Sequence, residues 1–258
     1  MMSYIRLICI VCTIYLIPYT AHAYSNDVLQ QLGLRIKTVV IDAGHGGKDP
    51  GTVGNGIVEK EQTLIFAKEL GKKLQSAGYT VYYTRTTDVY IPLEKRTELA
   101  NTKKADLFIS LHCNSHHDSS IAGFETYYLS VQGSDKRAAF VASRENGVSA
   151  NKLNSLQIIL SDITLDSKQE ESKDIAHHIQ RSVLARAKQY SYTIKDKGVR
   201  SAPFFVLLGA RMPSVLVELG YVSNKQEANI LVQASYRKAV IQGILDAIQS
   251  YQKSLATK

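Results

Sequence analysis

His45 stands in IDAGHGGKDPG, residues 41 to 51, flanked by Gly44, Gly46 and Gly47 and directly preceded by the apolar run Val39 to Ile41. Taken alone it reads either as part of a turn or as a ligand. A glycine-rich loop can also cradle phosphate, but the G-x-x-x-x-G-K-[ST] and G-x-G-x-x-G spacings are absent. A second histidine, His112, closes another apolar run in FISLHCNS, residues 108 to 115. Glu59, in GIVEKEQ, offers a carboxylate at the start of a helical pattern, where the helix dipole favours negative charge. Two histidines and a carboxylate, with one position left for water, form the ligand set of catalytic zinc sites. Glu218 ends the apolar stretch in PSVLVELGYVSN, residues 213 to 224, a costly place for a carboxylate without a partner or a task. It suits a general base that takes a proton from a metal-activated water and returns it to a leaving amine. Two plainer readings stay open: Glu59 as an ordinary first-turn helix acid, and Glu218 as one half of an ion pair with an arginine.

Convergence of these groups requires strands that end at one edge. Residues 36–41, 80–84, 106–112, 124–129, 204–208 and 214–219 have the length and the β-branched or aromatic content of strands. Residues 59–77 place Leu64, Ala67, Leu70, Gly71 and Leu74 on one face at helical spacing, with Gly78 as a stop. Residues 174–188 and 235–254 have the same amphipathic character. The alternation of strands and helices predicts one α/β sheet sandwiched by helices, with ligands collecting at the carboxyl ends of the strands. Neither a repeat nor a long linker calls for a second domain.

The chain has 258 residues, 45% of them hydrophobic and 21% charged, which excludes general disorder. Arg6, the apolar stretch 7–19 and the small-x-small triplet Ala21-His22-Ala23 read as an export signal over 1–23, followed by a lead at 24–35 and a catalytic domain at 36–258. The apolar run falls short of the roughly 20 residues of a spanning helix, so no stable membrane insertion is expected after cleavage. Cys113 alone remains beyond the leader, which leaves no internal disulfide. Loss of Arg6 lowers the net charge only from +8 to +7. No arginine-rich tract or zinc-finger spacing favours nucleic acid, and export favours an anionic polymer of the wall or envelope.

VVIDAGHGGKDPGTVGNGIVEKE, YYTRTTDVYIPLEKRTELAN, ADLFISLHCNS, GFETYYL and PSVLVELGYVSN together resemble the zinc-dependent N-acetylmuramoyl-L-alanine amidases that cleave peptidoglycan. The resemblance spans 37–251 in the correct order. It implies a three-layer α/β/α fold around a mixed, mostly parallel sheet of about six strands. It further implies one Zn²⁺ per chain held by His45, Glu59 and His112, with Glu218 as the catalytic carboxylate. Glu61 is the competing carboxylate, but the motif's Glu-Lys pair falls on Glu59 and Lys60. The implied reaction cuts the amide between the lactyl group of N-acetylmuramic acid and the L-alanine of the stem peptide, in the periplasm or cell envelope. The implied partners are peptidoglycan and a protein activator at the division site.

Asn114 is read as orienting a ligand or binding substrate, and Arg85 and Arg96 as structural ion pairs more than substrate contacts. Cys113 is expected to face away from His112. Segment 143–174 looks short for the inserted helix that covers zinc in division amidases, so little or no self-inhibition is expected. Rival readings are a zinc carboxypeptidase, disfavoured because His45 and Glu59 are fourteen positions apart, and a wall-binding protein, disfavoured by the intact set of four. A second, serine-based DD-carboxypeptidase activity would use Ser149 in a Ser-x-x-Lys spacing, but no Lys-Thr-Gly accompanies it.

Overall fold

The computed structural model describes residues 35–131, 133–148 and 166–255; the leader, most of the lead and Ser149 lie outside them. Six strands form the main sheet: β1 (Thr38–Ala43), β4 (Thr80–Tyr83), β5 (Leu107–Asn114), β6 (Phe124–Leu129), β7 (Asp196–Ala202) and β8 (Ser214–Tyr221). Their order is β4-β1-β5-β8-β6-β7. Every neighbouring pair is parallel except β6 with β8, so the sheet is mixed and mostly parallel, as expected. A small hairpin, β2 (Val53–Gly54) with β3 (Ile57–Val58), lies outside it.

Helices cover both faces. On one side α1 (Glu59–Ser76), α4 (Asp166–Gln189), α5 (Lys225–Leu231) and α6 (Ala234–Leu255) enclose a core with Ile41, Ile109, Cys113 and Val217 from the strands. On the other, α2 (Leu93–Thr102) and α3 (Lys136–Glu145) pack over Val40, Phe108, Tyr127 and Leu216. Strand side chains alternate between these two cores with period two. Cys113 therefore enters the first core, and its neighbour His112 points to the opposite face.

One strand expectation fails. Phe204 to Leu208 forms turns rather than a strand, buried under the second core, and the sixth strand is β7, eight residues upstream. An apolar run reports burial and not backbone shape. β7 is an edge strand whose residues DKGVRSA are mostly half-exposed, so it lacks the hydrophobic signature of an interior strand. Helices α2 and α3 add elements beyond those read from periodicity. Among the described residues no helix is long and apolar enough to cross a membrane.

Candidate metal centre

Three adjacent strands, β1, β5 and β8, end at one edge and supply the site. His45 follows β1 directly, and His112 of β5 is the register partner of Glu218 in β8. Because β5 and β8 alternate in phase, His112, Asn114 and Glu218 all project from the α2–α3 face. Glu59 arrives from the first residue of α1, whose start is tied to the preceding loop by Glu59 N–H to Thr52 O at 2.9 Å and Lys60 N–H to Pro50 O at 3.1 Å.

The donor atoms converge. His45 Nε2 lies 3.1 Å from Glu59 Oε1, and His112 Nδ1 lies 3.1 Å from the same oxygen. The two imidazole rings are 4.9 Å apart between centroids. A fourth group joins them: Glu145 Oε2 sits 3.1 Å from His45 Nε2 and 2.9 Å from His112 Nδ1. One atom from each of the four residues falls within 4.8 Å of every other. A tetrahedral zinc with bonds of about 2.0–2.1 Å has ligands about 3.3 Å apart, so these separations fit one ion. His45 Nε2 and Glu145 Oε2 make no hydrogen bond that satisfies them, which a metal bond would supply. Glu61 is exposed and outside the cluster, whereas Glu59 is buried within it.

The second layer explains the glycines. His45 Nδ1 faces Asp49 Oδ2 at 2.8 Å, which orients Nε2 toward the cluster, a common arrangement for metal-bound histidine. His45 itself is held at φ +60°, a conformation that costs on the order of 1–3 kcal/mol outside glycine. Its carbonyl is gripped by Arg96 Nη2 at 3.1 Å, while Arg96 Nη1 pairs with the buried Asp42 at 2.9 Å. Gly44 is needed for space, since a Cβ there would come within 2.5 Å of the His112 ring. A Cβ on Gly51 would come within 2.6 Å of both Glu59 and His45.

Electrostatics point the same way. Burial lowers the pKa of both imidazoles, but the carboxylate charges overcome it, Glu59 acting chiefly on His45 and Glu145 on His112; His45 rises far above its usual range and His112 to about 9. Burial opposes ionisation of Glu59, yet His45 holds its carboxyl down at about 2. The pocket as folded calls for positive charge, which a divalent cation would provide. Burial pushes the pKa of Glu218 well above the usual carboxylate range, against the pull of Arg144, whose Nη2 is 3.3 Å from Oε1. Glu218 thus has the arginine neighbour of the plainer reading, while its Oε2 is buried without a partner.

Other expectations sort by geometry. Asn114 accepts Arg144 Nη1 at 3.0 Å through Oδ1, so it positions that guanidinium, while its Nδ2 has no partner. Arg96 is the structural ion pair expected. Arg85 pairs with backbone instead: its guanidinium donates to the carbonyls of Ala43, Gly44 and Lys60 at 2.9, 2.8 and 2.7 Å, and at 3% exposure it pins the histidine loop rather than facing solvent.

Glu145 is the residue that the spacing argument lacks: it adds a fourth potential donor to a set expected to have three, and it comes from the head of the segment read as too short to cover the site. It ends α3, where the helix dipole disfavours a carboxylate. Arg144 holds it through Nε to Oε1 at 2.7 Å. A signal for α3 exists in the chain: Asp135 caps its start by accepting Ala138 N–H, and Gly147 at φ +63° follows its end. Nothing local marks Glu145 as different from a surface glutamate.

Comparison with known proteins agrees with this geometry. The family profile described as N-acetylmuramoyl-L-alanine amidase (Amidase_3) matches residues 39–250. The amidase LytC of Bacillus subtilis is 33% identical over 233 residues, 90% of this chain but only 39% of LytC. AmiA of Escherichia coli is 31% identical over 90% of this chain and 81% of its own length. The crystal structure of an N-acetylmuramoyl-L-alanine amidase from Clostridium difficile 630 superposes with a TM-score of 0.66 at 27% identity, covering 85% of this chain and 98% of that one. A converging cluster, a fold that superposes on a solved amidase and a profile match across most of the chain lead to one conclusion: the chain belongs to the N-acetylmuramoyl-L-alanine amidase family.

Proposed function

We propose that this protein is a zinc-dependent peptidoglycan hydrolase that cuts the amide between N-acetylmuramic acid and the L-alanine of the stem peptide. The observation that carries the reading is the convergence of His45, Glu59 and His112 on one point, with Glu218 beside them on the next strand. Zinc bound there would act as a Lewis acid and lower the pKa of a bound water to about 7. His45 and His112 would hold the ion as neutral imidazoles, each giving up the proton that the carboxylates favour in its absence. Glu218 accepts the proton of the attacking water and delivers it to the departing amine. Burial raises its pKa, which favours the second half of that task, because a carboxyl that takes up a proton more readily is better placed to pass it on.

Four protein ligands make a closed site, whereas catalytic zinc keeps one position open. Turnover therefore requires Glu145 to withdraw, and withdrawal of the end of α3 also carries away Arg144, which frees Glu218. A protein activator acting on α3 would fit that requirement. Export to the periplasm or cell envelope is part of the same reading, since the substrate lies there.

The experiment is incubation with purified muropeptides, with and without a chelator, followed by mass analysis. Intact stem peptide released from muramic acid, lost on chelation and restored by zinc, is the expected result. Loss of only a terminal D-alanine would replace this reading with the carboxypeptidase one.

A further inference from the structure

The loop that carries His45 is walled by two exposed apolar residues, Val89 at 44% and Tyr90 at 42% exposure. Their place is built tightly. A Cβ on Gly46 would lie 2.2 Å from Val89 O, and one on Gly47 would lie 2.7 Å from Tyr90 N, so the histidine loop and the 88–90 segment are in backbone contact only because both positions are glycine. Asp88 reinforces the join, accepting Gly47 N–H and Lys60 Nζ at 2.7 Å each. Lys48 Nζ lies over the Tyr90 ring, 4.7 Å from its centroid. Large apolar side chains in the open gain nothing from folding, yet here the backbone is pinned at several points to present them beside the cluster.

We infer that Tyr90, with Val89, is a stacking platform for a sugar ring of the glycan strand, so that the saccharide lies on the His45 side of the site. This rests on the amidase reading, which puts the muramoyl carbonyl at the cluster and hence a pyranose within a few ångströms of it. A pyranose is uncharged and presents a face of C–H groups, which an aromatic ring with one free face accommodates by offset packing. Acidic groups near Tyr90 are already engaged, Asp88 with Lys60 and Asp49 with His45. Lys48 covers part of one ring face.

The test compares the protein with Tyr90→Ala and Tyr90→Phe. Binding to glycan strands freed of their peptides is measured first, since these contain no scissile amide; kinetics on polymeric peptidoglycan come second. Tyr90→Ala should weaken glycan binding by about tenfold and raise KM by a similar factor, with kcat within twofold. Tyr90→Phe, which keeps the ring, should match the parent. Parent protein that fails to bind the strands, unchanged binding in Tyr90→Ala, or equal losses in the two variants would overturn the platform. Failure to release stem peptide from muropeptides while the binding pattern holds would instead overturn the amidase reading and leave the platform standing.

Discussion

Replacing Glu145 with Ala should activate the enzyme. The closed side chain is held by its approach to His45 and His112 at 3.1 and 2.9 Å, whereas its 2.7 Å contact with Arg144 travels with the end of α3. Hydrogen bonds to charged groups contribute about 1.5–3 kcal/mol net. Ordering the Glu145 side chain in the closed site returns about 0.5–1 kcal/mol of that. The closed arrangement is then favoured by roughly 1–2 kcal/mol, about a 5- to 30-fold excess over the open one. A site competent only in its open fraction has its apparent affinity reduced by that fraction. At saturating zinc, Glu145→Ala should therefore raise kcat/KM on soluble muropeptides by roughly 5- to 30-fold, and a metal bond to Oε2 would enlarge the gain. Stem-peptide release followed by chromatography gives the rate, and metal analysis of the same sample gives zinc per chain. Lower activity with zinc lost would refute the reasoning, because Glu145 would then be a ligand that the working site retains.

Glu218→Gln should keep zinc bound at one per chain and lower kcat by about 10²- to 10⁴-fold, the range for a lost acid–base group; loss of zinc in that variant would make Glu218 part of the ligand set. Gly44→Ala should weaken zinc binding and turnover together, because the added methyl would come within 2.5 Å of the His112 ring. Circular dichroism on the same protein should show an intact sheet, and normal zinc affinity would show that His112 has room to move.

The chain by itself determined a good deal of this site. Apolar runs ending in His112 and Glu218 identify interior strands, because only a strand buried on both faces is apolar without alternation, and a polar residue at its end must have a reason to be there. The glycines around His45 announced a crowded backbone before any distance was known. Strand boundaries at 124–129 and the helix beginning at Glu59 also follow from local pattern. What local pattern leaves open is whatever depends on a distant neighbour. β7 pairs through backbone hydrogen bonds on an edge, and its half-exposed side chains carry no hydrophobic record of that pairing. Phe204 to Leu208 is buried by the second core without being extended, so its composition misleads about its shape. Glu145 lies 33 residues beyond His112 in the chain and joins it only because α3 packs across the face from which β5 and β8 project their polar ends. Its ionisation, its contact with both imidazoles and its hold on Arg144 are through-space interactions that fall off within a few ångströms, and tertiary packing alone sets those distances.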